Sequence, residues 1–425
     1  MFKKLLKRQS NPIRVGLVGA GAMGRGIAWQ VAHTTGMRLM FIGDLDIEVA
    51  RSTAKQIGKE PVETDGVTIP EITDQQVLIT TNTLGLLRRN DVLKMEAFAE
   101  ATNAIAAACE YCLAAIEGGM HVVLMNAEVD MVYGKLLQHE AKKHNVVVTS
   151  DAGDQHGVLA TMIDEIKLWG FDIVQAGNIK GFLNYYATPE SIRPEAEKRN
   201  LSAVQCCAYT DGTKLNIEMA LLCNALGLAP FKDGMEGPRC QDVTEVLDLF
   251  DFDAYGDQGR VDYILGSEPG GGVYVVGKSD SDFQRPYLAY YKLLSKGNYY
   301  LFYRPYHLCH LETTTAIARA VLDGEAVLTP EAGYLADVYA YAKSDLKAGQ
   351  TVEHGIGGAE CYGLIRTTAD AAAIDHLPIA YLEGEGDKLP ILKRDIAKDE
   401  PVRYSDVEFP DITFHHLLQR QSALG

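Results

Sequence analysis

Ile-Arg-Val-Gly-Leu-Val-Gly-Ala-Gly-Ala-Met-Gly, residues 13–24, is the stretch that decides the fold, together with Phe-Ile-Gly-Asp at residues 41–44. The apolar run Ile13–Val18 predicts a strand that is buried on both faces. A glycine pattern, a helical pattern and a second apolar strand at Leu39–Ile42 follow it without a gap. Asp44 stands about 20 residues beyond Gly24, which is the spacing of a dinucleotide-binding βαβ unit.

Each part of this unit has a physical role in holding a dinucleotide. Gly19 permits the tight turn, Gly21 lets a pyrophosphate approach the backbone, and Gly24 lets the helix pack closely on the strand. Ala22 and Met23 begin the helix, where free N–H groups and the positive end of the helix dipole favour phosphate. We therefore expect these five residues to bind a dinucleotide cofactor.

The acid at the end of the second strand indicates which dinucleotide is bound. Asp44 is placed to accept hydrogen bonds from the ribose hydroxyls and to repel a 2′-phosphate, which favours NAD. Asp46 offers a second acid and Arg51 lies nearby. These neighbours leave NADP open as an alternative.

Further strands and helices alternate up to about residue 155 and predict a doubly wound parallel sheet. Strands are expected at Val77–Thr80, Val92–Phe98, His121–Met125 and Asn145–Thr149. Thr102 and Asn126 follow two of these strands. Because carboxyl ends of such strands meet at the cofactor crevice, both residues are predicted to bind the cofactor.

Composition describes an ordinary soluble protein with an ample core, since 47% of the 425 residues are hydrophobic and 23% are charged. The net charge of −17 argues against nucleic acid or an anionic membrane as a main partner. The eight cysteines are scattered, and only Cys109 and Cys112 have a CxxC spacing. We expect no metal site, reduced cysteines in a cytoplasmic protein, and a homo-oligomer.

The middle of the chain lacks the regular alternation of strands and helices that is predicted for the first 155 residues. Strands are predicted at Ile173–Gly177, Gln205–Thr210, Gly272–Gly277 and Tyr299–Tyr303, with a helix at Lys214–Leu226. This mixture predicts an α+β substrate domain at residues 156–335, after a Rossmann domain at residues 1–155. The helix at Thr313–Leu322 is a candidate to return the chain to the first domain.

Several motifs resemble known families. The opening Gly-Ala-Gly-Ala-Met-Gly, Met125-Asn126-Ala127-Glu128-Val129-Asp130 and Asp151-Ala152-Gly153-Asp154 resemble the homoserine dehydrogenase superfamily. A second resemblance is to the bacterial deoxyxylulose-phosphate reductoisomerase-like (DRL) proteins. It rests on Asp211-Gly212-Thr213-Lys214, Glu236-Gly237-Pro238-Arg239 and Arg304-Pro305-Tyr306-His307-Leu308. The tail at residues 336–425 is similar to a SAF domain, a small β-clip fold, whose two halves would be residues 342–350 and 394–402.

The resemblance to DRL proteins implies reduction and rearrangement of a phosphorylated ketose with NADPH. Asp44 departs from that pattern because it favours NAD. Ala127 also stands where homoserine dehydrogenases carry a lysine.

Charged residues at strand ends and turns are the candidates for catalysis and substrate binding. Lys180 and Lys214 are predicted to polarise a substrate oxygen, and Glu218 shares a helix face with Lys214. The alternative for Lys214 and Glu218 is a surface ion pair. Catalysis is assigned to Lys180, Lys214, Glu218 and the candidate acid or base His307, and substrate binding to Arg239, Arg304 and His156.

These residues predict an NAD(P)-dependent oxidoreductase that transfers hydride to or from a small anionic hydroxy or keto substrate. A DRL-type reductoisomerase is one alternative. A cofactor-binding sensor or scaffold without turnover is another.

Overall fold

A computed structural model describes residues 1–199, 201–268 and 270–424 of the chain. The chain divides into two compact units. The first contains Met1–Asp154, Leu308–Thr329 and the chain from His416 onward. The second contains Gln155–His307 and Pro330–His415.

The first unit is built on a seven-stranded parallel sheet with the strand order β3-β4-β2-β1-β5-β6-β7. Its strands are β1 (Ile13–Val18), β2 (Met37–Gly43), β3 (Glu60–Glu63), β4 (Gln76–Thr80), β5 (Ala97–Glu100), β6 (His121–Leu124) and β7 (Val148–Ser150). The central strands are almost wholly buried and apolar, as strands covered on both faces must be.

Helices surround this sheet. They are α1 (Phe2–Leu6), α2 (Ala22–His33), α3 (Ile47–Gln56), α4 (Thr83–Arg88), α5 (Asn90–Leu93), α6 (Ala106–Glu117), α7 (Ala127–His144) and α14 (Cys309–Asp323). The apolar side chains of α2 and α14 share one core cluster with those of β1 and β2. The strand predicted at Val92–Phe98 is shorter than expected, because residues 92 and 93 end the helical turn α5 and β5 begins only at Ala97.

The second unit contains a six-stranded mixed sheet with the order β12-β13-β11-β8-β10-β9. The strands are β8 (Asp172–Lys180), β9 (Ala229–Pro230), β10 (Arg260–Leu265), β11 (Val273–Lys278), β12 (Leu294–Lys296) and β13 (Tyr299–Arg304). The helices of this part are α8 (Gln155–Leu168), α9 (Pro189–Arg199), α10 (Ala203–Thr210), α11 (Thr213–Leu226), α12 (Val246–Leu249) and α13 (Arg285–Tyr290).

The predicted strand at Gln205–Thr210 is wrong, because this segment lies in α10. Ser202 caps the helix by accepting a hydrogen bond from the Gln205 backbone N–H at 3.1 Å. The cap and the buried face formed by Cys206, Cys207 and Ala208 outweigh the weak helix propensity of the run.

The remainder of the second unit is a small β-rich region. It contains β14 (Ala336–Ala342), β15 (Cys361–Thr367), β16 (Ile391–Leu392), β17 (Val407–Glu408) and the short helix α15 (Thr368–Ala372). The last helix, α16 (Thr413–Ser422), begins in the second unit and continues into the part of the chain that belongs to the first. The backbones of Leu346 and Ile396 exchange hydrogen bonds of 2.8 and 3.1 Å. The two halves predicted for a SAF-like domain therefore pair with each other, while the SAF assignment itself stays a prediction.

The α/β class with a doubly wound parallel sheet and a mixed second sheet is confirmed. The three predicted domain ranges stay predictions. Among the described residues, no helix is both long and apolar enough to span a membrane.

Candidate functional site

The glycine loop between β1 and α2 has the geometry that its sequence predicts. Gly19 has a φ of +85°, in the region that favours glycine, and a Cβ there would lie 2.5 Å from the Ala101 carbonyl oxygen. A Cβ on Gly24 would lie 1.7 Å from the Gly19 carbonyl oxygen. The fold itself therefore requires the first and third glycines.

Gly21 differs from the other two glycines. It has a φ of −68°, which any residue adopts, and a Cβ there would meet no atom within 4 Å. The protein's own packing thus gives no reason for glycine at this position. Open space beside an α2 N-terminus that no side chain caps fits a pyrophosphate well.

Asp44 lies against the same loop. Its carboxylate accepts hydrogen bonds from the backbone N–H of Ala20 at 2.7 Å and of Asp46 at 3.0 Å. The Arg51 guanidinium instead forms ion pairs with Glu48 at 3.1 Å and with Glu63 at 2.5 Å. Arg51 is therefore not set up to receive a 2′-phosphate.

A buried acid organises the neighbouring strand ends. Glu100, the last residue of β5, accepts hydrogen bonds from the Thr102 backbone N–H at 2.9 Å and from the Thr102 hydroxyl at 2.5 Å. Burial raises the pKa of Glu100 to about 8, although the hydrogen bonds from Thr102 and Asn126 oppose this rise. Asn126 caps α7 and donates to the Ala104 carbonyl at 2.7 Å. The two predicted cofactor residues Thr102 and Asn126 thus lie in loops that are held in place by hydrogen bonds.

In the second unit, strand register brings four predicted or polar residues to one face of the sheet. Lys180 on β8 pairs with Leu265, which also bridges to Arg239. Asn178 on β8 pairs with Val273, which also pairs with Arg304. Because Asn178 and Lys180 are two residues apart, both rows face the same side, and Arg239 and Lys180 lie about 10 Å apart across two strand spacings.

Side chains from α8 and α11 meet Lys180 on this face. The Lys180 Nζ donates to the Gln155 Oε1 at 2.7 Å and lies 4.0 Å from the Glu218 Oε2. The buried Asn178 Nδ2 donates to the same Glu218 oxygen at 3.0 Å. An ammonium held between an amide and a buried carboxylate has a fixed position, as a group that polarises substrate must have.

Lys214 and Glu218 lie on the first two turns of α11, and both are buried. The alternative of an exposed surface pair is therefore wrong. A helix N-terminus disfavours lysine, so the placement of Lys214 calls for a nearby anion or a substrate. His156 is buried in the first turn of α8, and its role in substrate binding stays a prediction.

Arg239 is held by an ordered turn. The buried carboxylate of Asp262 accepts hydrogen bonds from the backbone N–H groups of Glu236 at 3.0 Å, Gly237 at 2.9 Å and Tyr263 at 2.8 Å. Burial raises the pKa of Asp262 to about 7, against the lowering effect of these hydrogen bonds. Asp262 thereby ties the Glu-Gly-Pro-Arg segment to β10.

Arg304 is the last residue of β13, and His307 follows three residues later in the loop after it. The Arg304 guanidinium lies 4.6 Å from the centre of the Tyr306 ring. The His307 Nδ1 donates to the Gly271 carbonyl at 2.5 Å, and the next carbonyl, of Gly272, accepts from Gln155 at 3.1 Å. Both contacts are within the second unit, around the loop that precedes β11.

The predicted site residues do not include Gln155, Asn178, Asp262 and Glu100. A signal existed for Asn178, because it stands two residues before Lys180 in a strand and must share its face. The others are recognisable only from their partners in space.

Residues 153–313 match a family model described as "Oxidoreductase DRL, catalytic domain". The resemblance to the DRL oxidoreductases is confirmed. The prediction of an oxidoreductase is confirmed over the same residues. No curated protein sequence matches the chain.

Solved structures show distant likenesses. A probable dehydrogenase from Thermotoga maritima is 12% identical, covers 76% of this chain and 92% of its own, and has a TM-score of 0.44. A hyperthermophilic archaeal homoserine dehydrogenase with NADPH is 14% identical, covers 73% of this chain and 98% of its own, and has a TM-score of 0.43. The 1-deoxy-D-xylulose 5-phosphate reductoisomerase from Zymomonas mobilis with NADPH is 14% identical, covers 49% of this chain and 57% of its own, and has a TM-score of 0.36. These likenesses are too remote to assign a substrate.

Proposed function

We propose that the protein is an NAD(P)-dependent oxidoreductase that transfers hydride to or from a small anionic hydroxy or keto substrate, with NAD preferred. The observation that carries the proposal is the sheet face that gathers Lys180, Arg239 and Arg304 beside the buried Glu218. Cations gathered around one fixed ammonium suit a substrate with a reacting oxygen and a separate anionic group.

The first unit supplies the cofactor site. Gly21 and the uncapped N-terminus of α2 would hold the pyrophosphate, and the Asp44 carboxylate would accept hydrogen bonds from the ribose hydroxyls. The bound dinucleotide supplies or accepts the hydride. The ion pairs of Arg51 support NAD as the preferred cofactor, because no free guanidinium is offered to a 2′-phosphate by that residue.

The second unit supplies the groups that act on the substrate. Lys180, oriented by Gln155, would donate a hydrogen bond to the reacting oxygen and stabilise the charge that develops on it. Glu218 would keep that ammonium in place, with Lys214 one helical turn away as a second cation. Arg239 and Arg304 would bind a phosphate or carboxylate on the substrate.

His307 would act as the acid or base. Its Nδ1 donates to a backbone carbonyl, which fixes the ring and leaves Nε2 as the nitrogen for proton transfer. This assignment needs no metal ion.

A reductoisomerase is the second candidate, because the catalytic-domain match is to the DRL proteins. It differs from simple hydride transfer in its product, since the carbon skeleton rearranges before reduction. Product analysis with a phosphorylated ketose and NADH or NADPH separates the two reactions.

The proposal is tested by following nicotinamide absorbance with phosphorylated ketoses, hydroxy acids and keto acids. We expect turnover that Lys180→Met reduces by ~100-fold or more without weakening cofactor binding, as loss of one preorganised donor does. Lys232→Met, which changes an exposed lysine, is the control. Tight NAD binding without turnover of any member of the panel would instead favour a sensor or scaffold.

A further inference from the structure

Lys180 lies between the two arginines of the sheet face, with one arginine on each side of it. Arg304 ends β13 and Lys180 ends β8, while Arg239 bridges to Leu265 at the end of β10. The strands β8, β10 and β13 run in the same direction, so their carboxyl ends lie at one edge of the sheet. The three cations therefore follow one another across this edge in the order Arg304, Lys180, Arg239.

The strand spacing places the backbones of the two arginines far apart. The path from Arg304 to Arg239 crosses from β13 to β11, β8, β10 and then the Arg239 segment. At about 4.8 Å for each of these steps, the two Cα atoms are separated by roughly 20 Å. Lys180 stands near the middle of this distance.

The two guanidinium groups are also held apart. That of Arg304 lies 4.6 Å from the centre of the ring of Tyr306, the second residue after it. A Cβ on Gly266 would lie 3.9 Å from the Arg239 Nη1, so this guanidinium is beside the residue that follows Leu265. The Gly266 N–H donates to the Lys180 carbonyl at 2.7 Å. Each arginine thus keeps its charge on its own side of Lys180.

The turn that carries Arg239 is fixed by two consecutive residues of β10, Asp262 and Tyr263. Their side chains point to opposite faces of the sheet, as successive strand residues do. Asp262 accepts hydrogen bonds from the turn, and the Tyr263 ring packs against Gly237, where a Cβ would overlap the ring. A backbone held in this way keeps Arg239 from moving across Lys180 towards Arg304.

We propose that the substrate carries two anionic groups, one bound by Arg239 and the other by Arg304, with the reacting carbon between them at Lys180. This inference rests on the proposed function and narrows its substrate to an open-chain hydroxy or keto compound with a phosphate or carboxylate at each end. A guanidinium binds either group through two parallel hydrogen bonds. Arg239 is exposed and Arg304 is partly exposed, so both are accessible to a ligand.

Calorimetric titration of the full chain, saturated with NAD and at fixed ionic strength, tests the inference with three probes of one carbon-chain length. The probe 6-phosphogluconate has both anionic groups, gluconate has only the carboxylate, and sorbitol 6-phosphate has only the phosphate. We expect 6-phosphogluconate to bind at least ~10-fold more tightly than either of the others, because each of those lacks one charge-assisted contact.

Arginine variants then separate the two ends of the probe. Arg239→Met should abolish the preference for 6-phosphogluconate over one single-anion probe, and Arg304→Met should abolish the preference over the other. Arg285→Met, which removes an exposed guanidinium of α13, is the matched control and should keep both preferences. Thermal melting checks that each variant is folded.

Four results would overturn the inference. They are no binding of any probe by the unaltered protein, a single-anion probe that binds as tightly as 6-phosphogluconate, loss of the same preference in both arginine variants, and an effect of either variant on NAD affinity alone. The proposed function fails in a different way. Binding with both preferences but without any change in nicotinamide absorbance would keep the two-anion site and remove hydride transfer, whereas turnover of single-anion compounds without either preference would do the reverse.

Discussion

At the scale of single residues, Glu100 shows how burial sets the proton affinity of an acid at the end of a strand. Its carboxyl is buried at the end of β5, and burial raises its pKa from 4.5 to about 8. The folded chain therefore holds a proton that the unfolded chain releases above pH 4.5. The stabilising effect is greatest below that value and is lost as pH rises through about 8.

Glu100→Gln should flatten this pH dependence, because glutamine accepts the Thr102 hydrogen bonds without a titrating proton. We expect the loss of unfolding free energy between pH 5 and 8 to decrease by up to about 1.4 kcal/mol per pH unit. Urea denaturation at several pH values measures this. An unchanged slope in the variant would show that Glu100 is already ionised in the folded state.

Gly21 allows a direct test of the cofactor site. Gly21→Ala should fold with normal stability, since its Cβ would meet no protein atom, yet bind NAD at least ~10-fold more weakly because the pyrophosphate is kept away. Gly24→Ala is the contrasting variant and should lose stability through its contact with the Gly19 carbonyl. Titration calorimetry and thermal melting separate the two effects.

Asp44 should decide between the two dinucleotides. NAD should bind more tightly than NADP because a 2′-phosphate would face the Asp44 carboxylate. Asp44→Ser should narrow the difference between the two dissociation constants. Equal binding of NAD and NADP by the unaltered protein would contradict the role given to Asp44.

At the scale of elements, α11 places two buried charged residues on consecutive turns. If Lys214 polarises a substrate oxygen, Lys214→Met should reduce turnover by ~100-fold or more and leave NAD affinity unchanged. Steady-state kinetics, with Lys232→Met as the exposed control, measures this. Near-normal turnover would remove Lys214 from the site.

The sequence predicted individual helices and strands better than the pairing of strands that are distant in the chain. The β1–α2–β2 unit follows from local patterns alone, because glycine spacing and apolar runs act over short distances. The row that joins Lys180, Leu265 and Arg239 depends on register between segments far apart in the chain, which no local pattern specifies. Strand propensity also misled at α10, where the Ser202 cap and the buried face decide in favour of a helix.

At the scale of the whole chain, the second unit contains a buried ion pair between distant segments. Lys343 donates to Asp211 at 2.8 Å and to the carbonyls of Ala187 and Gly358 at 2.6 and 2.7 Å. Burial raises the pKa of Asp211, while Lys343 lowers it. The pair ties the β-rich region at residues 330–415 to the turn before α11.

Lys343→Met should destabilise the protein by about 3–5 kcal/mol, because it leaves Asp211 buried without its counter-charge. Lys347→Met removes the exposed pair with Asp395 and is the matched control, expected to change stability little. Urea denaturation of both variants measures the difference. Equal effects would contradict a special role for the buried pair.

The first unit is assembled from three separated stretches, and its last contribution comes from α16. Gln421 accepts a hydrogen bond from the Leu136 backbone N–H and donates one to the Val132 carbonyl, both at 2.9 Å. During synthesis, α7 therefore emerges from the ribosome nearly 300 residues before the side chain that completes its contacts. The first unit therefore cannot complete these two contacts until the whole of the second unit has been synthesised.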